Sequence, residues 1–249
     1  MKVGLLIYPS LFSKDRQIDL LHNLLHRDLA NPDHKTNIHL HHTFQYPPGT
    51  ASFFDSVAHD IVFEPKETIH ASFHTNTFLS KKLRWTTLGG QYDWTAKRYP
   101  DGSPPAFPPD IKAVVESHFP MKAEAAIVNL YSPSDTLSIH RDVSEECAMP
   151  LVSISLGCDA IFVVGVEGAG TDETQTAAIR LRSGDAVLMS GESRYAWHGV
   201  PKVLAGTCPQ WLGDWPAIGK EGTQKYSQWK GWMSGKRVNL NVRQMFADV

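Results

Sequence analysis

Residues 129–142 have the sequence NLYSPSDTLSIHRD, which ends in a histidine and an aspartate two positions apart. In an extended segment, residues i and i+2 project to the same side, so His140 and Asp142 can face one ion together. Two imidazoles and one carboxylate on one face leave coordination positions open on a ferrous ion. The second imidazole is assigned to His198, in the later stretch RYAWHGVP. The sequence therefore predicts a metal site formed by these three side chains.

The same three-residue motif occurs once more, at His26-Arg27-Asp28. The predicted secondary structure around each copy therefore has to show which of the two can bind a metal. The earlier copy lies within residues 15–30, where the leucines follow helical spacing. On a helix, positions i and i+2 point apart, so His26 and Asp28 are not expected to share an ion. Four further histidines in residues 31–42 have no acid or cysteine at ligand spacing, and we expect them to lie on a solvated surface.

Length and composition indicate one globular unit. The chain has 249 residues and a formal net charge of −2, which gives no overall basic field and by itself argues weakly against nucleic acid as a partner. Basic residues are nevertheless concentrated in residues 81–98 and 220–243. The three cysteines form no Cys-x-x-Cys pair, and no apolar run suits a signal peptide or a membrane span. We expect an intracellular protein of a reducing compartment that does not bind a membrane.

Short runs of β-branched or alternating residues, bounded by turn residues, predict strands after residue 120. These runs are 125–131, 151–156, 160–165, 177–182 and 186–190. Their number and spacing indicate an antiparallel double sheet of the jelly-roll type. Helices are predicted at residues 15–30 and 109–119, and a hairpin is predicted at Leu83–Trp94. The expected fold class is mainly β with flanking helices (α+β).

The final run, residues 236–245, alternates between polar and aliphatic side chains. The polar side chains that share a face are Arg237, Asn239 and Arg243 on this run, and Asn129 and Tyr131 on the earlier one. A strand considered alone favours an exposed polar face, but in a closed double sheet such faces can only line an interior pocket. Guanidinium groups suit carboxylates, and 2-oxoglutarate is a dicarboxylate cosubstrate for a ferrous site. A zinc hydrolase with the same triad leaves the arginines unexplained.

From about Arg84 to the C-terminus, several ordered motifs together resemble the AlkB family of iron(II)- and 2-oxoglutarate-dependent dioxygenases. The motifs are N-x-Y at 129–131, H-x-D at 140–142, PLVSISLG at 150–157, AIF at 160–162, SGD at 183–185, SGESR at 190–194, HGVP at 198–201 and RVNLNVRQ at 237–244. The stretch KKLRWTTLGGQYDWTAKRY, which begins at Lys81, is most similar to the eukaryotic branch represented by the first human AlkB homologue.

This resemblance implies a double-stranded β-helix, a jelly-roll with a cupin-like core, that uses Fe(II), 2-oxoglutarate and O2. The implied ligands are His140, Asp142 and His198 for iron, Arg237, Asn239 and Tyr131 for one carboxylate of 2-oxoglutarate, and Arg243 and Asn129 for its other end. The implied reaction hydroxylates an N-methyl group on a base, which then loses formaldehyde. Side-chain acids and bases alone cannot activate a methyl C–H bond, so the metal is required.

Members of the family use the region that corresponds to about residues 81–109 as a nucleotide-recognition lid. Trp85 is expected to stack on a flipped base opposite His140, with Tyr92 beside it, while basic residues hold the backbone. Residues 1–120 are then an N-terminal extension that carries a helix and this lid.

Residues 121–249 are the expected catalytic core, and the two parts are expected to form one structural unit. A tryptophan-rich insertion at residues 204–235 interrupts the core between His198 and the final strand. Long segments of this kind inside compact domains are usually lids or disordered, and this insertion is predicted to be a second lid.

Ser144 stands two residues after Asp142, where repair members of the family place an acid that contacts the adenine edge. This difference favours N6-methyladenine in unpaired or flipped-out DNA as the substrate, and 1-methyladenine in tRNA as the second choice. We expect nucleic acid as the partner, a monomer, and the nucleus rather than the mitochondrion or cytoplasm. Two alternatives stay open: a protein (histone) hydroxylase or demethylase with the same metal centre, and a catalytically dead protein that binds modified nucleic acid.

Overall fold

The computed structural model describes residues 4–93, 95–96, 98–100, 102–145, 147–167, 174–218 and 225–247. Six antiparallel strands form the major sheet. In spatial order they are β1 (Leu5–Tyr8), β11 (Ala186–Met189), β8 (Leu151–Gly157), β13 (Arg237–Arg243), β6 (Ala125–Tyr131) and β5 (Trp85–Gly89). Two strands of this sheet, β1 and β5, thus come from the first 120 residues of the chain.

Four antiparallel strands form the minor sheet: β10 (Thr174–Leu181), β9 (Ala160–Glu167), β12 (Trp197–Val203) and β7 (Leu137–His140). From β6 to β13 the chain alternates between the two sheets except at the consecutive minor-sheet strands β9 and β10, in the order major, minor, major, minor, minor, major, minor, major. This alternation makes the double-stranded β-helix, and it confirms the predicted jelly-roll. A small third sheet contains β2 (His42–Thr43), β3 (Val62–Pro65) and β4 (Phe73–His74).

The predicted helices at residues 15–30 and 109–119 are confirmed. The α-helices are α1 (Lys14–His22), α2 (Thr75–Thr77), α3 (Pro109–Glu116) and α4 (Gln210–Gly213). Ser13 caps α1 by accepting a hydrogen bond from the Arg16 backbone N–H, and α3 begins at a proline. Further helical turns are π-helical at Asn23–Asp28 and Phe78–Lys82, and 3₁₀ at Asn37–Leu40, Ser56–Ala58, Gly191–Tyr195, Ser227–Trp229 and Met233–Gly235.

The main hydrophobic core joins the N-terminal helix to the major sheet and to the tryptophan-rich segment. Trp215 and Trp229 are 2% and 7% exposed, and their rings contact the ring of Phe54. Burying such large aromatic side chains stabilises the fold. The prediction of a second lid is therefore wrong for the described residues of this segment, which form part of the core.

Two other local predictions are wrong. The run at Leu83–Trp94 does not form a hairpin, because β5 pairs with β6 and ends at Gly89. Gly89 has a positive φ, and an added Cβ would lie 2.3 Å from the Glu124 carbonyl oxygen, so only glycine fits this close approach. Trp94 lies outside the described residues.

The histidines of residues 31–42 are not all on the surface. His34 is buried and its Nδ1 lies 2.9 Å from the Asp28 carbonyl oxygen, and His42 is buried with its Nε2 3.2 Å from the Ala71 carbonyl oxygen. These carbonyls offer the rings hydrogen bonds that compensate for lost water. Within the part of the chain that the structure describes, no helix has the length and apolar character to cross a membrane.

Candidate active site

Two paired strands of the minor sheet bring the predicted metal ligands together. His140 at the end of β7 lies opposite His198 on β12, and their ring centroids are 4.4 Å apart. Asp142 lies two residues after the end of β7, with Oδ1 4.0 Å from His140 Nε2 and Oδ2 3.7 Å from His198 Nε2. One candidate ligand atom from each residue lies within 4.8 Å of the others. This cluster can hold one metal ion.

Local hydrogen bonds orient both imidazole rings. His140 Nδ1 lies 2.9 Å from the Ser138 carbonyl oxygen, and His198 Nδ1 lies 3.0 Å from the Ala196 carbonyl oxygen. When Nδ1 donates to a carbonyl, the Nε2 lone pair is left for a metal. Burial lowers the pKa of His198, which favours the neutral form that a metal ligand requires.

Asp142 is held as a carboxylate. Burial by itself raises the pKa of Asp142, but the nearby Arg243 guanidinium and the two histidines outweigh burial and lower it to about 2. Arg243 Nη2 donates to Asp142 Oδ1 at 2.9 Å. Asp142 Oδ2 is buried and accepts no hydrogen bond from any described residue. A buried, ionised oxygen of this kind beside two imidazoles is a suitable donor set for a divalent cation.

The polar face of β13 points into the interior, as predicted, and the alternative of an exposed face is wrong. All seven residues of β13 are buried. Arg237 pairs in register with Tyr131, and Asn239 pairs with Asn129. Asn239 Nδ2 donates to Ser153 Oγ at 2.7 Å, so β8 supplies part of the same polar wall.

Arg237 is a buried cation that forms no ion pair with an acid among the described residues. Its Nη2 donates to Ser155 Oγ at 2.9 Å, and its guanidinium carbon lies 5.4 Å from the Tyr131 ring centroid. Its Nε and Nη1, and the hydroxyl of Tyr131, make no hydrogen bond with any described residue. Burial lowers the pKa of Arg237. A carboxylate ligand would supply the missing charge and acceptors in a fork geometry.

Arg243 has a different environment from Arg237. Besides its hydrogen bond to Asp142, its Nε lies 3.1 Å from Glu145 Oε1. Burial opposes the charge, but Asp142, Tyr99 and Glu145 together raise the pKa of Arg243, so it remains a cation. Arg243 thus contacts the candidate metal ligand directly. Its predicted role toward the far end of 2-oxoglutarate stays a prediction.

Sequence reasoning missed two fully buried charges beside the triad, Glu145 and Arg194. Arg194 Nη2 pairs with Glu145 Oε2 at 2.8 Å, and both side chains are at most 2% exposed. Arg194 also donates to the Asp142 carbonyl oxygen at 2.8 Å and to the Met149 carbonyl oxygen at 2.7 Å. The SGESR motif contained this arginine, but nothing in the sequence indicated which group it would contact.

A cavity of about 690 Å³ opens beside the triad. It is lined by Tyr92, Tyr99, Ile127, Asn129, Thr136, Leu137, Ser138, His140, Arg141, Asp142, Val143, Ser144, Glu145, Asn241 and Arg243. This volume is in the range of small-molecule sites.

Two tyrosines form an aromatic wall of this cavity. The rings of Tyr92 and Tyr99 are 5.4 Å apart and nearly perpendicular. Ser144 Oγ donates to the Tyr92 hydroxyl at 3.2 Å, so two predicted substrate residues are brought together. Trp85 is half-buried on β5, in register with Asn129, and it does not line this cavity. Its stacking role stays a prediction, and Tyr99, which the sequence did not single out, lines the cavity beside Tyr92.

The sequence profile of the 2OG-Fe(II) oxygenase superfamily matches residues 4–243. A relative from Pyricularia oryzae, named N6-methyladenosine RNA demethylase ALKB1, is 47% identical over 266 aligned positions, which cover 97% of this chain and 74% of the relative. The chain belongs to the AlkB family of this superfamily.

A second AlkB-family relative, the tRNA demethylase abh1 of Schizosaccharomyces pombe, is 42% identical and is aligned over 97% of this chain and 79% of its own. Among solved structures, that of OsALKBH1 superposes with a TM-score of 0.61 at 19% identity and covers 98% of both chains. The structural likeness concerns the fold. The family profile and the sequence relatives show that the protein is a 2-oxoglutarate-dependent dioxygenase that uses Fe(II), 2-oxoglutarate and O2.

The residues present fit these groups. The buried Asp142 oxygen and the two oriented imidazoles suit an iron ion. The unsatisfied Arg237 and Tyr131 atoms suit a carboxylate of 2-oxoglutarate. Bound together with O2, iron and 2-oxoglutarate supply the oxidant that breaks a C–H bond. The chain itself positions these groups and supplies a cavity beside them.

Proposed function

We propose that this AlkB-family dioxygenase oxidatively demethylates N6-methyladenine in single-stranded or flipped-out nucleic acid, and that it prefers RNA to DNA as the substrate. One observation carries the proposal: the cavity beside the His140, Asp142 and His198 cluster has an aromatic wall of Tyr92 and Tyr99. Stacking on an aromatic wall is the usual means of holding an extruded base. The names of both fungal relatives, which describe RNA demethylases, support the choice of RNA.

Each group around the cavity has a defined part in this proposal. Asp142 and the two histidines hold the metal, and Arg237 with Tyr131 holds a carboxylate of the cosubstrate. Burial raises the pKa of Tyr99 to about 12, so its hydroxyl stays protonated, and it donates a hydrogen bond to Glu145 Oε1 at 3.4 Å. Ser144 offers a neutral hydroxyl beside Tyr92. A neutral hydroxyl suits an adenine whose methylated exocyclic nitrogen carries no charge, whereas 1-methyladenine is cationic.

The test supplies Fe(II), ascorbate and 2-oxoglutarate to the purified protein together with matched oligonucleotides. The panel contains N6-methyladenine in RNA and DNA, 1-methyladenine in a tRNA stem-loop, and methylated lysine peptides. Formaldehyde and succinate are measured. We expect both products with N6-methyladenine RNA, less with DNA, and none after His140→Ala, whereas His118→Ala, at an exposed histidine outside the cavity lining, retains activity.

Other outcomes of the panel assign the protein differently. Turnover of the tRNA stem-loop alone would replace N6-methyladenine with 1-methyladenine as the substrate. Turnover of peptides without any oligonucleotide would make the protein a protein demethylase. Oligonucleotide binding that does not depend on iron, with no turnover, would make it a protein that binds modified nucleic acid without catalysis.

The proposal also covers the oligomeric state and the cellular location of the protein. We propose that the protein acts as a monomer, since one chain supplies all the side chains of the site, and light scattering after gel filtration tests this. We propose a nuclear location because nucleic acid is the proposed substrate. Imaging of the tagged full-length protein tests the location, and exclusive mitochondrial or cytoplasmic signal would refute it.

A further inference from the structure

An exposed indole, Trp197, contacts the guanidinium of Arg141, a residue that lines the cavity. The register of β7 and β12 brings Arg141 and Trp197 close together. His140 lies opposite His198, and in an antiparallel pair the residue after His140 is next to the residue before His198. The guanidinium carbon of Arg141 lies 4.7 Å from the Trp197 ring centroid. Since side chains alternate along strands, Trp197 lies on the face of β12 opposite His198, while Arg141, just past the end of β7, lines the cavity and reaches the indole.

Neighbouring residues leave the indole accessible. Trp197 is 40% exposed, although tryptophan is usually well buried. Its register partner on β9 is Gly165, which has no side chain to cover the ring. Ile139 and Val143, on either side of Arg141 in the chain, are 55% and 59% exposed. The pair therefore lies within an exposed apolar rim, and exposed patches of this kind commonly mark binding sites.

Arg141 differs from Arg194 and Arg243, the two arginines that hydrogen-bond to Asp142. Arg194 and Arg243 are buried and paired with carboxylates, whereas no carboxylate of a described residue forms an ion pair with Arg141. Arg141 also lines the cavity, so it joins the exposed rim to the catalytic pocket. A guanidinium stacked on an indole keeps the N–H groups at its edge available for an anion.

We propose that Trp197 and Arg141 form a binding site for the nucleotide that flanks the methylated base in single-stranded nucleic acid. The flanking base stacks on Trp197, and its phosphate accepts hydrogen bonds from Arg141. This inference rests on the proposed function and adds a second point of contact outside the catalytic cavity. Single-strand binding proteins combine stacking platforms with cations along the backbone in the same way.

The charge and the shape favour a nucleotide over a peptide. A flat exposed ring takes the π-face of any base, and the guanidinium fork matches a phosphate. An acidic peptide could use the cation, but it gains little from the aromatic ring. Competition by an acidic peptide that displaces an oligonucleotide at equal concentration would overturn the assignment to nucleic acid.

Binding is measured by fluorescence anisotropy with an unmethylated, labelled seven-nucleotide single strand, so no turnover is needed. We expect Trp197→Ala to weaken this binding about tenfold and Trp197→Phe to restore most of it. Arg141→Gln should weaken binding and reduce the slope of log Kd against log salt by about 0.7, the value for one lost phosphate contact on a single strand. The matched control is Lys14→Gln, a second cation over an indole, 5.9 Å from the Trp211 ring, which should change neither quantity.

Turnover separates this site from the catalytic one. With the loaded enzyme, KM for a methylated oligonucleotide should rise in Trp197→Ala, while KM for the methylated mononucleoside should not change. Equal effects on both substrates, or unchanged oligonucleotide binding in both variants, would overturn the flanking site. If the wild-type protein turns over no methylated nucleic acid, but the affinity measured by anisotropy is still about tenfold lower in Trp197→Ala, the flanking site stands and the proposed function fails.

Discussion

Arg237 and Arg243 lie on the same face of one strand, but removing each should affect stability in opposite ways. Arg237 is buried without a carboxylate among the described residues, so its charge costs stability when no ligand is bound. We expect Arg237→Met to leave Tm unchanged or higher in the protein without 2-oxoglutarate. The same variant should weaken 2-oxoglutarate binding about 100-fold or more. Calorimetric titration and thermal unfolding measure both effects.

Arg243 forms ion pairs with Asp142 and Glu145. Arg243→Met leaves two buried carboxylates with fewer partners, so we expect the free energy of unfolding to fall by about 3–5 kcal/mol. Denaturant unfolding of the two variants side by side provides the measurement. Equal stability changes for Arg237→Met and Arg243→Met would contradict the distinction between an unpaired and a paired guanidinium.

His39 should make stability depend on pH. Burial, with nearby Lys35 and Lys66, lowers the pKa of His39 from 6.5 to about 4. Between these values the unfolded chain binds a proton that folded His39 does not, so stability falls as pH decreases from about 6.5 to about 4. The loss should be about 1–2 kcal/mol, because the ring is only partly buried.

His39→Asn is the variant that isolates this effect. His39 Nδ1 accepts a hydrogen bond from the Thr36 backbone N–H at 2.9 Å, and an asparagine oxygen can accept in its place. Chemical unfolding at several pH values between 4 and 7 gives the free energies. A pH slope that is the same in the variant and the wild type would show that His39 is not the group responsible.

At the scale of the element, the pairing of β7 with β12 sets the separation of the two histidines. Gly199 follows His198, and a Cβ at this position would lie 2.9 Å from the Leu137 carbonyl oxygen and 3.2 Å from the Ile139 nitrogen. These are backbone atoms, so β7 would have to move. We expect Gly199→Ala to weaken metal binding about tenfold, a typical effect of disturbing ligand orientation.

Anaerobic titration with Co(II), followed by its visible absorption, measures that metal binding. Gly213→Ala is the matched control, because a Cβ there would make only ordinary contact, 3.6 Å from the Ser234 Cβ. If Gly199→Ala binds Co(II) as tightly as Gly213→Ala does, the register of these strands does not control the metal site.

At the scale of the whole molecule, Phe54 connects parts of the chain that are distant in sequence. Its ring is fully buried against Trp215, Trp229 and His26, and its carbonyl oxygen accepts a hydrogen bond from Trp229 Nε1 at 2.9 Å. Phe54→Ala should lower the free energy of unfolding by about 3–5 kcal/mol. Because Phe54 and its aromatic neighbours do not line the cavity, KM for the methylated oligonucleotide should be unchanged at temperatures where the variant is folded.

Val57→Ala is the control for Phe54→Ala, since Val57 lies in the same segment and is 63% exposed. We expect its stability to match the wild type within about 0.5 kcal/mol. A large loss of activity in folded Phe54→Ala would mean that the tryptophan-rich segment contributes to catalysis as well as to the core.

Several strands could be predicted from local pattern alone. The alternation in residues 236–245 specified β13 and the side chains that share its face, because period-two patterning reflects strand geometry directly. The run at 125–131 matches β6 residue for residue. The partner of β5 could not be predicted in this way, because its pairing with β6 depends on contacts between residues far apart in sequence.

The sequence by itself determined the strand-rich core, the alternating polar face of β13 and the motifs that identify the chemistry, since these depend on local periodicity and on residue type. Only the tertiary structure decided that Arg194 forms an ion pair with Glu145, a contact between residues 49 positions apart. It likewise decided that Trp215 and Trp229, from the segment after Leu204, are buried in the core. Such contacts depend on which buried surfaces and charges meet after the sheets close, and local sequence does not encode that choice.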